Sequence, residues 1–351
     1  MKNTVKLLAL LSLCSSPALG QKPLSEGGLD RADDRHETLS EMLEASRFSY
    51  QAIGNEGTPQ AFTNKVSSNL FLMTGLDLPA SPSTPDGKVL FHDADDSSTL
   101  LYVDTRSGSV AFSKGTKDIS GTHDTPSLPT TEEAPVIATD LLKELQLAPA
   151  DTTEMVVEHV GGLRMGVLNP DGSTDQFEKL RTVRLSRVLD GTKVEGPGSR
   201  IVIQLGEHGE LRGLVHRWRE LTPTALLPVE KFTPRELRRM ISFRIAQATA
   251  KATKVEFESA KLVHYDDGQG TVEPVIHVIV QQTLVSKSRN EKGELIEHVL
   301  KNPVDFYVPI LRKSKARLPF VKDQLVKGLA KPGKDRKGDA LPETPLAGDD
   351  D

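Results

Sequence analysis

The amino-acid sequence predicts an α+β fold made of tandem modules, each with one helix packed on its own antiparallel sheet. Two observations lead to this class. A capped amphipathic helix is followed by several short strands, and this order occurs twice along the chain. Turns rich in Gly, Asn and Asp separate the strands closely enough for antiparallel pairing. We therefore expect one module over residues 126–228 and a second over residues 229–311.

The first twenty residues have the features of a secretory signal peptide. Lys2 and Lys6 precede an apolar run at 7–13, and small residues lead to a cleavage site after Gly20. Removing this segment also removes Cys14, the only cysteine, so the mature chain is expected to contain no disulfide and no thiolate site. No other apolar run is long enough for a transmembrane segment. The sequence predicts a secreted or periplasmic protein, with a cysteine usage typical of bacterial exported proteins.

Residues 21–125 are expected to form an N-terminal α+β region with a disordered start at 21–35, where Gly, Asp and Glu are frequent. Apolar spacing predicts helices at 36–48 and 59–74. Strands are predicted at 88–91, 99–104 and 109–113.

Each of the two modules begins with a capping box, in which two side chains satisfy free backbone N–H groups of a first helical turn. Thr130 and Glu133 have this spacing before a helix to residue 147, and Thr233 and Glu236 have it around Pro234 before the second helix. The strands predicted after these helices lie at 154–160, 163–168, 177–190, 200–206 and 210–218, and then at 253–265, 272–285, 295–300 and 304–311.

The chain ends in a segment whose charge changes sign. Residues 312–337 contain ten Lys and Arg against two acids, and residues 338–351 end in three aspartates. Such charge blocks are typical of a solvated, flexible tail, and we expect no nucleic-acid partner. Residues 312–351 are therefore predicted to be a charged flexible tail.

A family resemblance rests on residues 130–220. The strand Thr182–Leu189 ends in Asp190-Gly191, and Val194-Glu195-Gly196, the alternating Ile201, Ile203 and Leu205, and a Gly209-Glu210 turn follow. With the preceding helix, this order resembles the PepSY-type and thermolysin/fungalysin-type propeptide modules of secreted peptidases. Residues 233–311 resemble a more divergent second copy.

The resemblance implies a PepSY- or cystatin-like fold and a role as an inhibitor or folding chaperone of a peptidase. The sequence contains no His-Glu-x-x-His zinc motif, so we expect a protein partner in trans, such as a secreted peptidase. The interpretation that we favour is a secreted, non-enzymatic binding module that acts through a sheet edge or an open sheet face.

No catalytic, metal or cofactor motif is present, and we expect neither a cofactor nor a metal. None of the nine histidines pairs with another at metal-ligand spacing, and His277 is expected to be a core or half-buried residue. Asp93, Asp95 and Asp104 mimic a calcium loop, but Ser98 stands where that loop needs glycine. A solvated loop is the default there, and calcium binding stays open.

The candidate binding patch is Arg217, Trp218 and Arg219, because Trp and Arg are enriched at binding hot spots. The alternative is a core or edge tryptophan flanked by arginines that reach the solvent. Two other functions also stay open. One is an extracellular hydrolase whose dispersed residues, such as Glu158, His159, Glu207 and His216, are assembled by folding. The other is a structural envelope or matrix protein tethered by the basic tail.

Overall fold

A computed structural model describes residues 38–53, 59–79, 87–93, 95–115, 119, 124–169, 171–289 and 295–319. The predicted signal peptide, the start of the predicted N-terminal region and residues 320–351 of the predicted tail lie outside the described residues. Within the described ranges, the helices are α1 (Leu39–Ala45), α2 (Pro59–Thr74), α3 (Glu133–Glu144) and α4 (Pro234–Ala248). The strands are β1 (Phe48–Ala52), β2 (Lys88–His92), β3 (Thr99–Asp104), β4 (Ser109–Lys114), β5 (Met155–Leu168), β6 (Thr174–Leu189), β7 (Thr192–Glu195), β8 (Arg200–Leu205), β9 (Leu211–Arg217), β10 (Leu221–Ala225), β11 (Lys254–Asp266), β12 (Thr271–Arg289) and β13 (Leu295–Pro309).

All of these strands belong to one mixed sheet, so the predicted α+β class of tandem helix-on-sheet modules is wrong. The strand order is β10-β1-β12-β11-β7-β6-β8-β9-β4-β3-β2, with β13 beside β12 and β5 beside β6. The short strand β7 turns back from β6 and pairs in parallel with β11, through Val194 with His264 and Glu195 with Tyr265. This strand makes the sheets expected for the two modules continuous, and the protein is predominantly β.

Strand β1 is a second exception to the prediction that each module forms its own sheet from consecutive strands. It pairs with β10 over five residue pairs, and through Tyr50 and Gln51 it also pairs with β12. Its partner β10 contains Pro223, which an edge strand tolerates because it has only one neighbour in the ladder. A segment from the N-terminal region is thus built into the C-terminal half of the sheet. The domain boundaries at 125/126, 228/229 and 311/312 stay a prediction.

Most predicted elements are confirmed, although their assembly differs from the prediction. Helix α2 occupies the predicted range 59–74, and both hydrogen bonds of the Thr233–Glu236 capping box are present. The Thr130–Glu133 box is formed as well, with distances of 3.0 and 3.1 Å. Strands β5 and β13 are continuous where two short strands were predicted in each case.

Two large apolar clusters lie between helices and sheet. Helices α2 and α3 pack on the half of the sheet that contains β3, β4, β8 and β9, with Leu70, Leu142 and Ile201 fully buried. Helices α1 and α4 pack on β12 and β13 through Met42, Leu237 and Ile276. Burial of such apolar side chains is the main favourable term in folding.

The half of the sheet that contains β3, β4, β8 and β9 is covered by α2 and α3 on one face, and its other face is partly exposed. Along β3, β4 and β8 buried residues alternate with half-buried ones, as expected for a sheet with one covered face. We call this surface the open face. Its central row contains Leu90, Tyr102, Ala111, Val215 and Val202, one from each of five neighbouring strands.

The first residues of the predicted tail lie against the sheet. The carboxylate of Glu273 on β12 accepts hydrogen bonds from Ser314 Oγ (2.6 Å) and from the backbone N–H of residues 315 and 316. Ala316 and Leu318 are buried. Residues 312–319 therefore belong to the folded part of the chain. None of the helices in the part of the chain that the structure describes has the length and apolar character needed to cross a membrane.

Candidate binding cleft

A cleft of about 510 Å³ lies at one end of the open face. Its floor is formed by side chains of β2, β3, β4 and β9, and its wall by Pro197, Gly198 and the β11–β12 turn at 267–269. Two segments that are far apart in sequence thus meet over the sheet. The cleft exists because β7 and β11 pair at this position and bring the two turns together.

The side chains around the cleft carry an excess of positive charge. Four cations line it, Lys88, Arg106, Arg217 and Arg219, against the two acids Asp104 and Asp267. Both acids accept hydrogen bonds from the backbone. Asp104 Oδ1 accepts from the N–H of residues 106 and 107 (3.0 and 3.2 Å), and Asp267 Oδ1 accepts from the N–H of residue 269 (2.7 Å). The carboxylates stabilise turns, and the cleft presents net positive charge to a ligand.

The predicted patch is divided between two faces of the sheet. Arg217 is exposed at the cleft, where its Nη1 lies 3.3 Å from the carbonyl oxygen of Pro197. Arg219 also lines the cleft, and its Nη2 lies 3.5 Å from Asp266 Oδ1. Trp218, by contrast, is 5% exposed and belongs to the core under α2 and α3. Alternation of side chains along a strand places Arg217 and Trp218 on opposite faces.

A buried polar network supports the cleft wall. Arg187 is 1% exposed, and its guanidinium lies 4.1 Å from the centre of the Trp218 ring. Its Nε is 2.8 Å from Glu154, and its Nη1 donates to the carbonyl oxygen of Arg219 (2.8 Å). Burial lowers the pKa of Arg187, although Glu154 and other nearby carboxylates oppose this shift. The pKa of Glu154 is raised, chiefly by burial.

The same network reaches Asp266, which connects the two wall segments. Ser199 Oγ donates to Asp266 Oδ2 (2.6 Å), and the N–H of Gly268 donates to Asp266 Oδ1 (2.8 Å). Asp266 is buried and lies within 3.5 Å of the Arg219 guanidinium. One carboxylate thereby fixes the turn at 196–199, the turn at 266–270 and a cleft arginine.

A second, smaller pocket of about 190 Å³ lies on the other side of the turn at 196–199. Glu158 forms ion pairs there with Arg184 (2.6 Å) and Lys193 (2.5 Å). Ser186 and Arg200 also line the pocket. Neither residue is among the candidates that the sequence predicts to be functional.

His277 forms part of the wall of this second pocket. Its Nδ1 lies 2.9 Å from Glu195 and its Nε2 lies 3.2 Å from Asp305, and its ring stacks on Tyr307 at 4.6 Å. Burial, the largest influence, lowers the pKa of His277, but the two carboxylates outweigh it and the net pKa is raised. The prediction of a half-buried histidine is confirmed.

The fold does not assemble the residues considered for a hydrolase. His216 is buried in the core with its Nε2 3.0 Å from the carbonyl oxygen of Leu147, and burial lowers its pKa to about 4. Glu158 lies in the second pocket, whereas Glu207 is exposed in a separate turn. Among the residues that the structure describes, no three His, Cys, Asp or Glu side chains are grouped so as to hold a metal ion.

The acids considered for calcium lie at opposite ends of a strand. Asp93 Oδ1 accepts hydrogen bonds from the N–H of Asp95 (2.7 Å) and of residue 96 (3.1 Å), next to the start of β3 at Thr99. Asp104 ends the same strand. Five residue steps in a strand span roughly 16 Å, so Asp104 does not reach a cation held by Asp93 and Asp95.

Comparisons with known proteins give little further information. No protein-family model matches the chain, and no curated protein matches it. A solved structure, described as an uncharacterized protein from Eubacterium rectale ATCC 33656, matches with a TM-score of 0.43 and 13% identity. The match covers 79% of this chain and 86% of that chain. The similarity is too weak to transfer a fold or a function.

Proposed function

We propose that the protein is an exported, non-enzymatic binding protein whose cleft receives an acidic segment of a partner protein. The observation that carries this proposal is the set of four cations, Lys88, Arg106, Arg217 and Arg219, around one cleft. The four cations outnumber the two acids that line the cleft, so the net positive charge favours an acidic ligand. The signal peptide predicted at residues 1–20 favours a secreted or periplasmic location.

A protein partner accounts for the cleft better than a small molecule. The cleft opens onto the central row of the open face, where Leu90, Tyr102 and Val215 are exposed or half-buried. An extended segment lying along this row contacts apolar side chains while its acidic residues reach the arginines. Tyr and Arg are enriched in protein interfaces, whereas a small-molecule site is usually concave and mostly apolar.

The more specific form of the proposal concerns peptidases. The resemblance of residues 130–220 to propeptide modules favours a secreted peptidase as the partner, inhibited or assisted in folding. The absence of a zinc motif from the sequence makes the interaction one in trans. In this form, the cleft holds an acidic segment near the active site of the peptidase.

The experiment is a comparison of charge-reversal variants in partner capture. The mature protein, residues 21–351, is immobilised and exposed to the supernatant and envelope fractions of the source organism, and bound proteins are identified. The test variant is Arg217→Glu, and the matched control is Arg239→Glu, an exposed arginine on α4. We expect a partner retained by the wild type and by the control, and bound at least about tenfold more weakly by Arg217→Glu.

The outcomes distinguish the general proposal, an acidic protein segment in the cleft, from the more specific one, a secreted peptidase as the partner. Equal binding by the wild type and Arg217→Glu, at low and at moderate salt, contradicts the role of the cleft, because an electrostatic interface is weakened by salt. A cleft-dependent partner that is not a peptidase contradicts only the more specific form. For a captured peptidase, the protein is then added to an activity assay, and a slowed reaction is the expected result.

A further inference from the structure

Two polar side chains face each other across neighbouring strands without partners of their own. Ser186 on β6 and Arg200 on β8 are directly paired in register, and both line the second pocket. Ser186 is 4% exposed. Its Oγ and the Nε of Arg200 are buried and form no hydrogen bond with any of the described residues. Buried donors are normally paired, so two adjacent unpaired ones indicate a ligand.

The charges around Arg200 indicate that this ligand is negatively charged. Arg217 is its direct neighbour on β9, and Arg184 is a diagonal neighbour on β6. Like charges directly opposite each other on a sheet are unfavourable. The pKa of Arg200 is lowered, first by its burial and then by Arg217 and Arg184, whereas the carboxylate of Glu158 has the smallest effect and raises it. An anion beside Arg200 offsets the repulsion from the two arginines.

The carboxylates of the pocket are already engaged elsewhere. Glu158 is held by Arg184 and Lys193. Glu195 is held by His277 at 2.9 Å and by the hydroxyl of Tyr307 at 3.0 Å. Within the described part of the chain, no carboxylate forms an ion pair with Arg200. Among the described residues, the pocket thus contains one arginine without an ion-pair partner and one hydroxyl without a hydrogen-bond partner.

We infer that the second pocket is a binding site for a small oxyanion group, a carboxylate, sulfate or phosphate, held by Arg200 and Ser186. The guanidinium offers a planar pair of donors that suits two oxygens of such a group, and the hydroxyl of Ser186 supplies a further donor. Arg184 and Lys193 also line the pocket, and their two charges are balanced in part by Glu158, with which both form ion pairs. A volume of about 190 Å³ accommodates one such group and a few atoms attached to it.

This site goes beyond the proposed function and is separate from the cleft. Gly198 lines both spaces, so the turn at 196–199 forms the partition between them. The residues that hold the oxyanion, Ser186 and Arg200, line only the second pocket. Because Arg217 is the direct neighbour of Arg200, Arg200→Gln is the control that shows whether weaker partner binding by Arg217→Glu comes from the cleft or from this pocket.

The test is a titration of the mature protein with inorganic phosphate, sulfate and acetate at constant ionic strength, with chloride as the balancing ion. Nuclear magnetic resonance of backbone amides and arginine side chains reports both affinity and location. We expect saturable binding of at least one of the three, with a Kd on the order of 1 mM or tighter. The shifted signals are expected to include those of Ser186 and Arg200.

Three variants decide the assignment. Arg200→Gln is expected to weaken binding at least about tenfold, and Ser186→Ala several-fold, because hydrogen bonds to charged groups are the stronger class. Arg239→Gln on α4 is the matched control and is expected to bind as the wild type does. Ser186→Ala removes one oxygen atom from a folded strand, so it stays informative even if Arg200→Gln fails to fold.

The preference among the three ions identifies the group that the site accepts. Tighter binding of acetate indicates a carboxylate of a peptide or metabolite, and tighter binding of phosphate or sulfate indicates a tetrahedral group. The inference is overturned if none of the ions saturates the protein. It is also overturned if both Arg200→Gln and Ser186→Ala bind as tightly as the wild type.

Discussion

Replacing the buried Arg187 by methionine tests whether the polar network holds the two cleft walls together. Methionine keeps an unbranched apolar stem but is shorter than arginine and lacks the guanidinium. That group lies 2.8 Å from Glu154, donates at 2.8 Å to the carbonyl oxygen of Arg219, and stacks at 4.1 Å on Trp218. The variant therefore loses an ion pair, a charged hydrogen bond and a cation–π contact at once.

The expected loss of stability is about 4 kcal/mol. Breaking a buried ion pair by removing one partner costs about 3–5 kcal/mol. The low end applies to this pair, because the Glu154 side chain is 29% exposed and regains some hydration. The hydrogen bond to Arg219 adds about 1.5–3 kcal/mol and the contact with Trp218 about 0.5–2 kcal/mol. Since these contributions overlap, the sum is an upper limit.

The assay is urea denaturation, and two probes monitor the unfolding. Trp218 is the only tryptophan, so its fluorescence reports directly on the network, while far-ultraviolet circular dichroism reports on the whole sheet. The matched control is Arg184→Met on the same strand. Its ion pair with Glu158 is half exposed, and its loss is expected to cost about 1 kcal/mol or less. If Arg187→Met is no less stable than Arg184→Met, the network does not hold the walls.

The remaining predictions concern the turn at 196–199 and the second pocket. A Cβ on Gly198 overlaps the Asp266 carboxylate, so Gly198→Ala is expected to lower thermal stability far more than Gly166→Ala, where φ is not positive and the nearest atom lies at 3.8 Å; equal melting temperatures contradict the steric reason. The pKa of His277 is raised, so the stability that its pair with Glu195 contributes is present below pH 6.5 and lost as pH rises through the folded pKa. The pKa of Glu195 is lowered, so its contribution is present above pH 4.5 and lost as pH falls through its folded pKa. Nuclear magnetic resonance of the His277 ring is expected to show a pKa above 6.5, and this pKa is expected to be lower in Glu195→Gln. An unchanged pKa of His277 in that variant refutes the pairing.

Local signals in the sequence predict the individual elements well. The capping boxes at Thr130 and Thr233 mark two of the helices, and the alternation of Ile201, Ile203 and Leu205 marks a strand with one buried face. Each of these features depends on residues within a few positions of one another. Such local preferences are what sequence patterns record.

The joining of the strands into one sheet is not local and was missed. Strand β7 is four residues long, and its pairing with β11 involves residues about 70 positions away. A turn and a short pairing strand look alike in sequence when the partner strand is unknown. The predicted tandem modules failed at this point, because a strand within the first pairs with a strand within the second.

The binding patch illustrates the same limit at the level of side chains. Arg217 and Arg219 were identified because they flank a tryptophan, yet Trp218 faces the core. A signal for Arg187 was present, since it falls on the same face as Val183, Leu185 and Leu189, which are all buried. An arginine on the apolar face of an alternating strand marks a buried ion pair. The acidic partner Glu154 becomes evident only once the chain is folded.

The position of β1 in the sheet constrains the order in which the strands can pair during folding. This strand lies between β10 and β12, so its hydrogen-bonding partners are residues 221–225 and 271–272. A chain emerging from its N-terminus has no partner for residues 48–52 until about 170 further residues, up to β10, have been made, and β12 follows only about 220 residues after β1. Pairings of such high sequence separation slow folding. The part of the sheet that contains β1 is therefore completed only late in synthesis or after it.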